Sequence, residues 1–240
     1  MAQGLKDKIR SGQRTIGFSA PLTATVEQLT RARDEHGPYD FVATDSQHSP
    51  LSEPALVEFC GRADEAGLPV RLRIKHTSHT CLIGNLLDLG PTGIEVPQVE
   101  SLETAREAEE SMYYPPRGRR SVGGGARRRV QDFADSREYA DWWNENGVLW
   151  LQIESLNAVL HAHTFALPGV DCFSFGPTDL TFDIEAHPNP PYRRLEDCVE
   201  AVARSVEGSQ TALCYRNGTP DTRRHWADLG VSVFLERPPV

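Results

Sequence analysis

Two acids, a histidine and an arginine follow short apolar runs in this 240-residue sequence, and a further acid stands near the histidine. Glu154 follows Val148-Leu-Trp-Leu-Gln-Ile153, with Gln152 two places earlier. Asp179 follows Val170-Asp-Cys-Phe-Ser-Phe175 across Gly176, Pro177 and Thr178. Asp45 and His48 follow Tyr39-Asp-Phe-Val-Ala-Thr44, and Arg73 lies in Pro69-Val-Arg-Leu-Arg-Ile74. Two carboxylates that leave open positions suit a hard divalent cation such as Mg2+ or Mn2+. A carboxylate bonded to one imidazole nitrogen fixes the tautomer and raises the basicity of the other nitrogen, so Asp45 and His48 suit proton transfer. Arg73 suits a developing oxyanion. Each has a plainer reading alone: Asp179 as a helix cap, Glu154 and His48 as solvated side chains, Arg73 in a salt bridge. Only a fold that gathers them favours the chemistry.

The apolar runs supply such a fold. Eight of them, near residues 15–20, 39–44, 69–74, 93–99, 148–153, 170–175, 211–215 and 231–235, read as strands. Helical patterns are expected between them, over 25–35, 52–67, 80–89, 101–112, 156–167, 191–206 and 222–229. Strands alternating with helices predict parallel βαβ units. Eight units in this length predict a (β/α)8 TIM barrel as one domain over residues 1–240. No Gly-x-Gly-x-x-Gly follows the first strand, which argues against a dinucleotide-binding sheet. No helix is expected after the last strand, so the barrel is expected to lack its final helix. Residues 114–146 interrupt the rhythm with an Arg/Gly-rich loop and an extra helix. The loop's six arginines read either as a solvated basic loop or as a lid that offers one of them to an anion. In a barrel of this kind the strands' C-terminal ends carry the chemistry, and all five side chains fall there. Glu154 and Asp179 then close adjacent strands. Arg71 points to the same side of its strand as Arg73, one layer lower.

Composition narrows the partners. A formal net charge of −9 disfavours nonspecific binding to nucleic acid or an anionic membrane. No run approaches the length of a membrane span, and the N-terminus lacks a signal-peptide pattern. The five cysteines form no Cys-x-x-Cys pair and read as reduced thiols of a cytoplasmic protein. Lys6, Lys8 and Lys75 are the only lysines; none lies inside a strand, which disfavours a Schiff base.

Seven segments carry a resemblance. They are Asp45-Ser-Gln-His48-Ser-Pro50, Pro69-Val-Arg-Leu-Arg73, Leu86-Leu-Asp-Leu-Gly90, Val96-Pro-Gln-Val99, Tyr114-Pro-Pro-Arg-Gly-Arg-Arg120-Ser-Val-Gly123, Gln152-Ile-Glu154 and Gly176-Pro-Thr-Asp179-Leu180. In this order they resemble the HpcH/HpaI aldolase family, the class II pyruvate aldolases, with macrophomate synthase among the similar relatives. The resemblance implies a phosphoenolpyruvate/pyruvate-type barrel, a cofactor of Mg2+ or Mn2+ with Co2+ as a further candidate, and a homo-oligomer. It implies that Glu154 and Asp179 hold the metal and that His48, oriented by Asp45, moves the proton. Arg73, or Arg71 as the alternative, would stabilise the enolate oxygen. Gln152, Thr178, Asp179 and Arg120 would bind substrate, a 2-oxo acid that meets an aldehyde or another acceptor. Gln47 departs from the family, which usually has glutamate there. Decarboxylation or a macrophomate-like addition through the same enolate is one alternative activity. A catalytically silent barrel that binds a small acid is another.

Overall fold

A computed structural model describes residues 4–35 and 37–237. In chain order it contains α1 (Leu5–Arg10), β1 (Thr15–Ser19), α2 (Val26–Glu35), β2 (Phe41–Asp45), α3 (Glu53–Glu65), β3 (Val70–Arg73), a 3-10 turn (Thr77–Leu82) leading into α4 (Ile83–Leu87), and β4 (Gly93–Val96). There follow α5 (Leu102–Met112), α6 (Ser136–Asn146), β5 (Val148–Ile153), α7 (Leu156–Phe165), β6 (Cys172–Phe175), α8 (Pro177–Ala186), α9 (Leu195–Ser205), β7 (Ala212–Gly218), α10 (Arg223–Ala227) and β8 (Val233–Glu236). The strands pair in parallel in sequence order and close into a barrel. Among the described residues no helix follows β8, consistent with the expected missing last helix.

The strands are buried on both faces, as a parallel sheet covered by helices requires. Period-two alternation divides their side chains between two apolar shells. Leu149, Leu151, Ile153, Phe173 and Phe175 face outward and pack under the helices. Phe41, Ala43, Val148, Trp150, Cys172, Cys214, Val233 and Leu235 fill the barrel. Gly17 is part of that filling: a Cβ there would fall 2.2 Å from the Phe41 ring, so only glycine admits it. Ile9, from α1, joins the inner shell and closes the strands' N-terminal end.

The helices start where short polar side chains cap them. Ser101 accepts from the Thr104 N–H at 3.2 Å, and Ser155 from that of Ala158 at 3.0 Å. Ala105, Ala108 and Met112 then set one buried stripe on α5. Three expectations change. The helix expected over 80–89 is preceded by the 3-10 turn, because the His76 ring accepts from the Ser78 N–H and starts the coil early. The helix expected over 191–206 begins only at Leu195. A helix not expected, α8, starts at Pro177, where proline fits the first turn because no N–H is needed.

Candidate active site

The barrel register gathers the polar side chains before any loop contributes. Asp45 on β2 is level with Arg73 on β3, and Arg73 with Glu95 on β4. On the next strands Gln152 is level with Ser174, and Ser174 with Cys214. Asp45 grips Arg73 with both oxygens: Oδ1 accepts from Nε at 2.8 Å and Oδ2 from Nη2 at 2.5 Å. Burial alone would raise the Asp45 pKa, but the Arg73 hydrogen bonds outweigh it and hold it below the usual carboxylate range. Arg73 Nη1 donates to Gln152 Oε1 at 3.3 Å, and Gln152 Nε2 donates to Glu154 Oε2 at 2.7 Å. One hydrogen-bonded line therefore runs from Asp45 through Arg73 and Gln152 to Glu154.

Glu154 is buried, and its other oxygen accepts from the Gln98 N–H at 2.8 Å. Gln98 adopts a φ of 49°, the left-handed region that a non-glycine residue enters only when its surroundings impose it. Gly176 presses from the turn between β6 and α8. A Cβ there would meet Glu154 Oε2 at 2.4 Å and Gln152 Nε2 at 2.7 Å, so any side chain would displace the carboxylate. Asp179, in the first turn of α8, is exposed and lies beside Glu154. Burial, then the Asp179 charge, push the Glu154 pKa up to about 7. Both acids line a cavity of about 440 Å3 with His76, Thr77, Gln98 and Glu100.

This donor set fits a divalent cation. Two adjacent carboxylates face a cavity, neither forms an ion pair with a basic side chain among the described residues, and their mutual repulsion is left standing. A hard cation relieves that repulsion and still has open positions for a ligand. No group of three or more His, Cys, Asp or Glu side chains suited to a metal exists among the described residues, so the protein's charged ligands would number two.

Several expectations need correction. Asp45 does not orient His48: its oxygens are engaged by Arg73 and by the Gln47 N–H at 2.9 Å, while His48 is exposed. Arg73 reaches the mouth, whereas Arg71 is buried beneath it with Nη1 2.8 Å from Glu95 Oε2. Arg120 does not belong to a mobile lid. It is buried, donates to Asp88 at 2.8 Å, and lies over the rings of Tyr114 and Trp143. It lines a different cavity from the one holding Glu154. Its loop neighbours are also docked: Arg117 on Tyr113, Arg127 on Tyr139, Arg129 on Trp142, and Arg128 paired with Asp64. The loop therefore packs on the aromatic face of α6, a pairing of separated segments that its composition hides.

Sequence reasoning also missed residues. The Gln98 backbone contact had no signal beyond a polar residue after proline. Arg216 escaped because β7 was expected to end at Tyr215. Ala212, Cys214 and Arg216 alternate, and that alternation marks Arg216 as inward-facing.

A family model described as HpcH/HpaI aldolase/citrate lyase matches residues 27–214. The chain belongs to that family. Hydroxypyruvate/pyruvate aldolase of Delftia acidovorans is 31% identical over 216 residues, 89% of this chain and 77% of that protein. A 2-keto-3-deoxy-L-rhamnonate aldolase of Escherichia coli is 25% identical, covering 98% of this chain and 88% of that protein. The crystal structure of an HpcH/HpaI aldolase from Desulfitobacterium hafniense DCB-2 aligns with a TM-score of 0.82 at 28% identity, covering 98% of this chain and 90% of that one. Macrophomate synthase, at 19% identity and a TM-score of 0.79, shares the fold. Membership of the HpcH/HpaI family, with relatives named as aldolases, supports a lyase.

Proposed function

We propose that this HpcH/HpaI family member is a divalent-metal-dependent aldolase that makes or breaks the carbon–carbon bond next to a pyruvate-type 2-oxo acid. The observation that carries the reading is the Glu154–Asp179 pair: two carboxylates at a cavity, with Glu154 joined through Gln152 to Arg73. Mg2+ or Mn2+ held by Glu154 and Asp179 would polarise the keto group of a bound 2-oxo acid. The remaining work falls to this chain's own residues. Thr178 and Asp179 open α8, whose first N–H groups lack helical acceptors and suit the substrate carboxylate. Removing a proton from the carbon beside the keto group sends its electron pair toward the keto oxygen. Arg73, fixed on Asp45, offers positive charge to that oxygen. Gln152 keeps Arg73 and Glu154 at a set spacing. His48, free of Asp45 and exposed, takes or returns the proton. In synthesis the carbon nucleophile adds to an aldehyde, whose oxygen gains a proton; in cleavage the same steps run backward.

Five cysteines without a disulfide support reading the protein as cytoplasmic, and its family resemblance supports reading it as a homo-oligomer. The test of the activity is proton NMR of pyruvate in D2O with Mg2+ or Mn2+ and then with EDTA. Metal-dependent loss of the methyl signal is expected. A signal that persists with both metals would overturn the pyruvate reading.

A further inference from the structure

The cavity that holds Glu154 and Asp179 has a second wall to which the proposed steps give no role. Glu154 follows β5 and Asp179 follows β6, whereas His76 and Thr77 reach the same cavity from the segment after β3. Among the described residues that line it, His76 carries the one imidazole; His48, after β2, is not among them. The other charged side chains of the lining are all acids: Glu100 and Asp183 join Glu154 and Asp179, without a lysine or arginine. An oxygen that gains negative charge on the far side from the Glu154–Asp179 pair therefore needs a hydrogen-bond donor there.

His76 has the geometry of that donor. It is the N-cap of the 3-10 turn Thr77–Leu82, and its ring does the capping: Nδ1 accepts from the Ser78 N–H at 3.0 Å. A main-chain N–H can only donate, so Nδ1 keeps its lone pair and the neutral ring carries its proton on Nε2. The hydroxyls of Ser78, 3.0 Å from Nδ1, and of Thr77, at 3.4 Å, can donate to the same nitrogen and reinforce that tautomer. The two ring nitrogens diverge, so with Nδ1 turned into its own turn the Nε2–H is directed away from it. Nε2 has no hydrogen-bond partner among the described residues. Other donors on the wall are committed or elsewhere. Ser155 caps α7 and bonds to Glu100, and Thr104 Oγ1 lies 3.0 Å from Ser101 Oγ. The Gln98 amide stands at the Glu154 end, where its main chain holds that carboxylate.

We propose that His76 is a catalytic residue of the carbon–carbon bond step, and that its neutral Nε2–H donates a hydrogen bond to the oxygen of the aldehyde acceptor. The inference rests on the proposed 2-oxo acid site and assigns the group that meets the second substrate. With the 2-oxo acid at Glu154 and Asp179, the acceptor enters from the β3 side. The enolate carbon bonds to the aldehyde carbon, and the C=O electron pair moves onto the aldehyde oxygen. That oxygen then takes the proton carried by His48. His76 keeps its own proton throughout; it polarises the carbonyl and stabilises the alkoxide, as a neutral imidazole of fixed tautomer can. In cleavage the same hydrogen bond is made to the 4-hydroxyl oxygen.

The test has two parts. Nitrogen-15 NMR of the metal-free full chain, labelled at histidine, reads the tautomer; His76 is assigned by the signal that disappears in His76→Gln. The Nε2–H form is expected, and an Nδ1–H form would overturn the proposal. The second part compares two rates of the Mn2+-loaded chain: exchange of the pyruvate methyl protons, which needs no acceptor, and aldol addition to acetaldehyde, glycolaldehyde or glyoxylate. His76→Asn keeps a side-chain oxygen that can cap the turn but brings no donor to the position of Nε2. Its ratio of aldol to exchange rate is expected to fall tenfold or more, with the loss in kcat rather than in the KM for the aldehyde. His76→Gln, whose amide reaches near the Nε2 position, is expected to keep more of the ratio. Urea midpoints establish that both variants fold; if His76→Asn does not, the tautomer and the glutamine variant decide. An unchanged ratio in both variants, or equal loss of exchange and addition, would overturn the proposal and leave His76 as the cap of its turn. A wild type that exchanges pyruvate protons but joins pyruvate to none of the three aldehydes would overturn this inference alone. A wild type that does not exchange them would overturn the 2-oxo acid reading, and this inference with it.

Discussion

The two ends of the barrel both carry buried charge, yet only one is built to react. At the closed end, Asp171 receives the Arg10 Nε at 2.5 Å, the Tyr113 hydroxyl at 3.2 Å and the Leu149 N–H at 2.8 Å. Lys6 Nζ lies 3.6 Å from the same carboxylate and donates to Tyr113 Oη at 2.9 Å and to the Gly147 carbonyl at 2.8 Å. Burial lowers the Lys6 pKa to about 8, a shift that on its own resembles that of a reactive lysine. Its surroundings say otherwise. The donors and acceptors there are matched, and α1 covers them. At the open end Glu154 is perturbed in the other direction, lacks a basic partner and faces a cavity. A shifted ionisation thus marks a site only where a ligand can enter.

The strongest way to break this contrast is at the closed end. Asp171→Ala leaves Lys6 and Arg10 without their carboxylate, and breaking a buried pair of this kind costs about 3–5 kcal/mol. Urea denaturation should report that loss, while pyruvate exchange per folded molecule stays near wild type. A large loss of exchange at undiminished stability would mean that the closed end takes part in the chemistry.

A smaller effect lies between the two ends. Burial would raise the Glu95 pKa, but Arg216, Arg71 and Arg73 outweigh it and hold it down at about 2, from an ordinary 4.5. A folded-state pKa below the unfolded one means stability present above pH 4.5 and lost as pH falls toward 2. Its size is about 3 kcal/mol. The stability difference between wild type and Glu95→Gln should therefore be widest above pH 4.5 and narrow below it. A difference that stays constant from pH 6 to pH 3 would show that Glu95 is not held ionised by its arginines.

The sequence made the barrel legible because parallel strands buried on both faces leave unbroken apolar runs, and the capping serines mark where α5 and α7 begin. It was less informative where one short segment depends on another. Helix α1 offers only Leu5 and Ile9 to the inner shell, too few for a periodic signal. Helix α8 has a weak pattern but a proline start that could have been read. For the candidate site, the types and strand positions of Arg73, Gln152, Glu154 and Asp179 were legible, because a barrel fixes which end its strand termini share. Partner choice was not. Asp45 is three residues from His48 in sequence but level with Arg73 across the strands, and the register decides in favour of Arg73. Arg120 lies in a loop rich in arginine and glycine, and of its two aromatic partners Tyr114 is in that loop while Trp143 comes from α6.

The most direct test of the account is a calorimetric titration of Mn2+ into the wild type and into Glu154→Ala near neutral pH. One ion per chain should bind to the wild type, and binding should be lost in the variant while its urea midpoint shows it folded. Equal Mn2+ affinity in the two proteins would contradict the account, since the unmatched carboxylate pair at the open end would then not be the metal's seat.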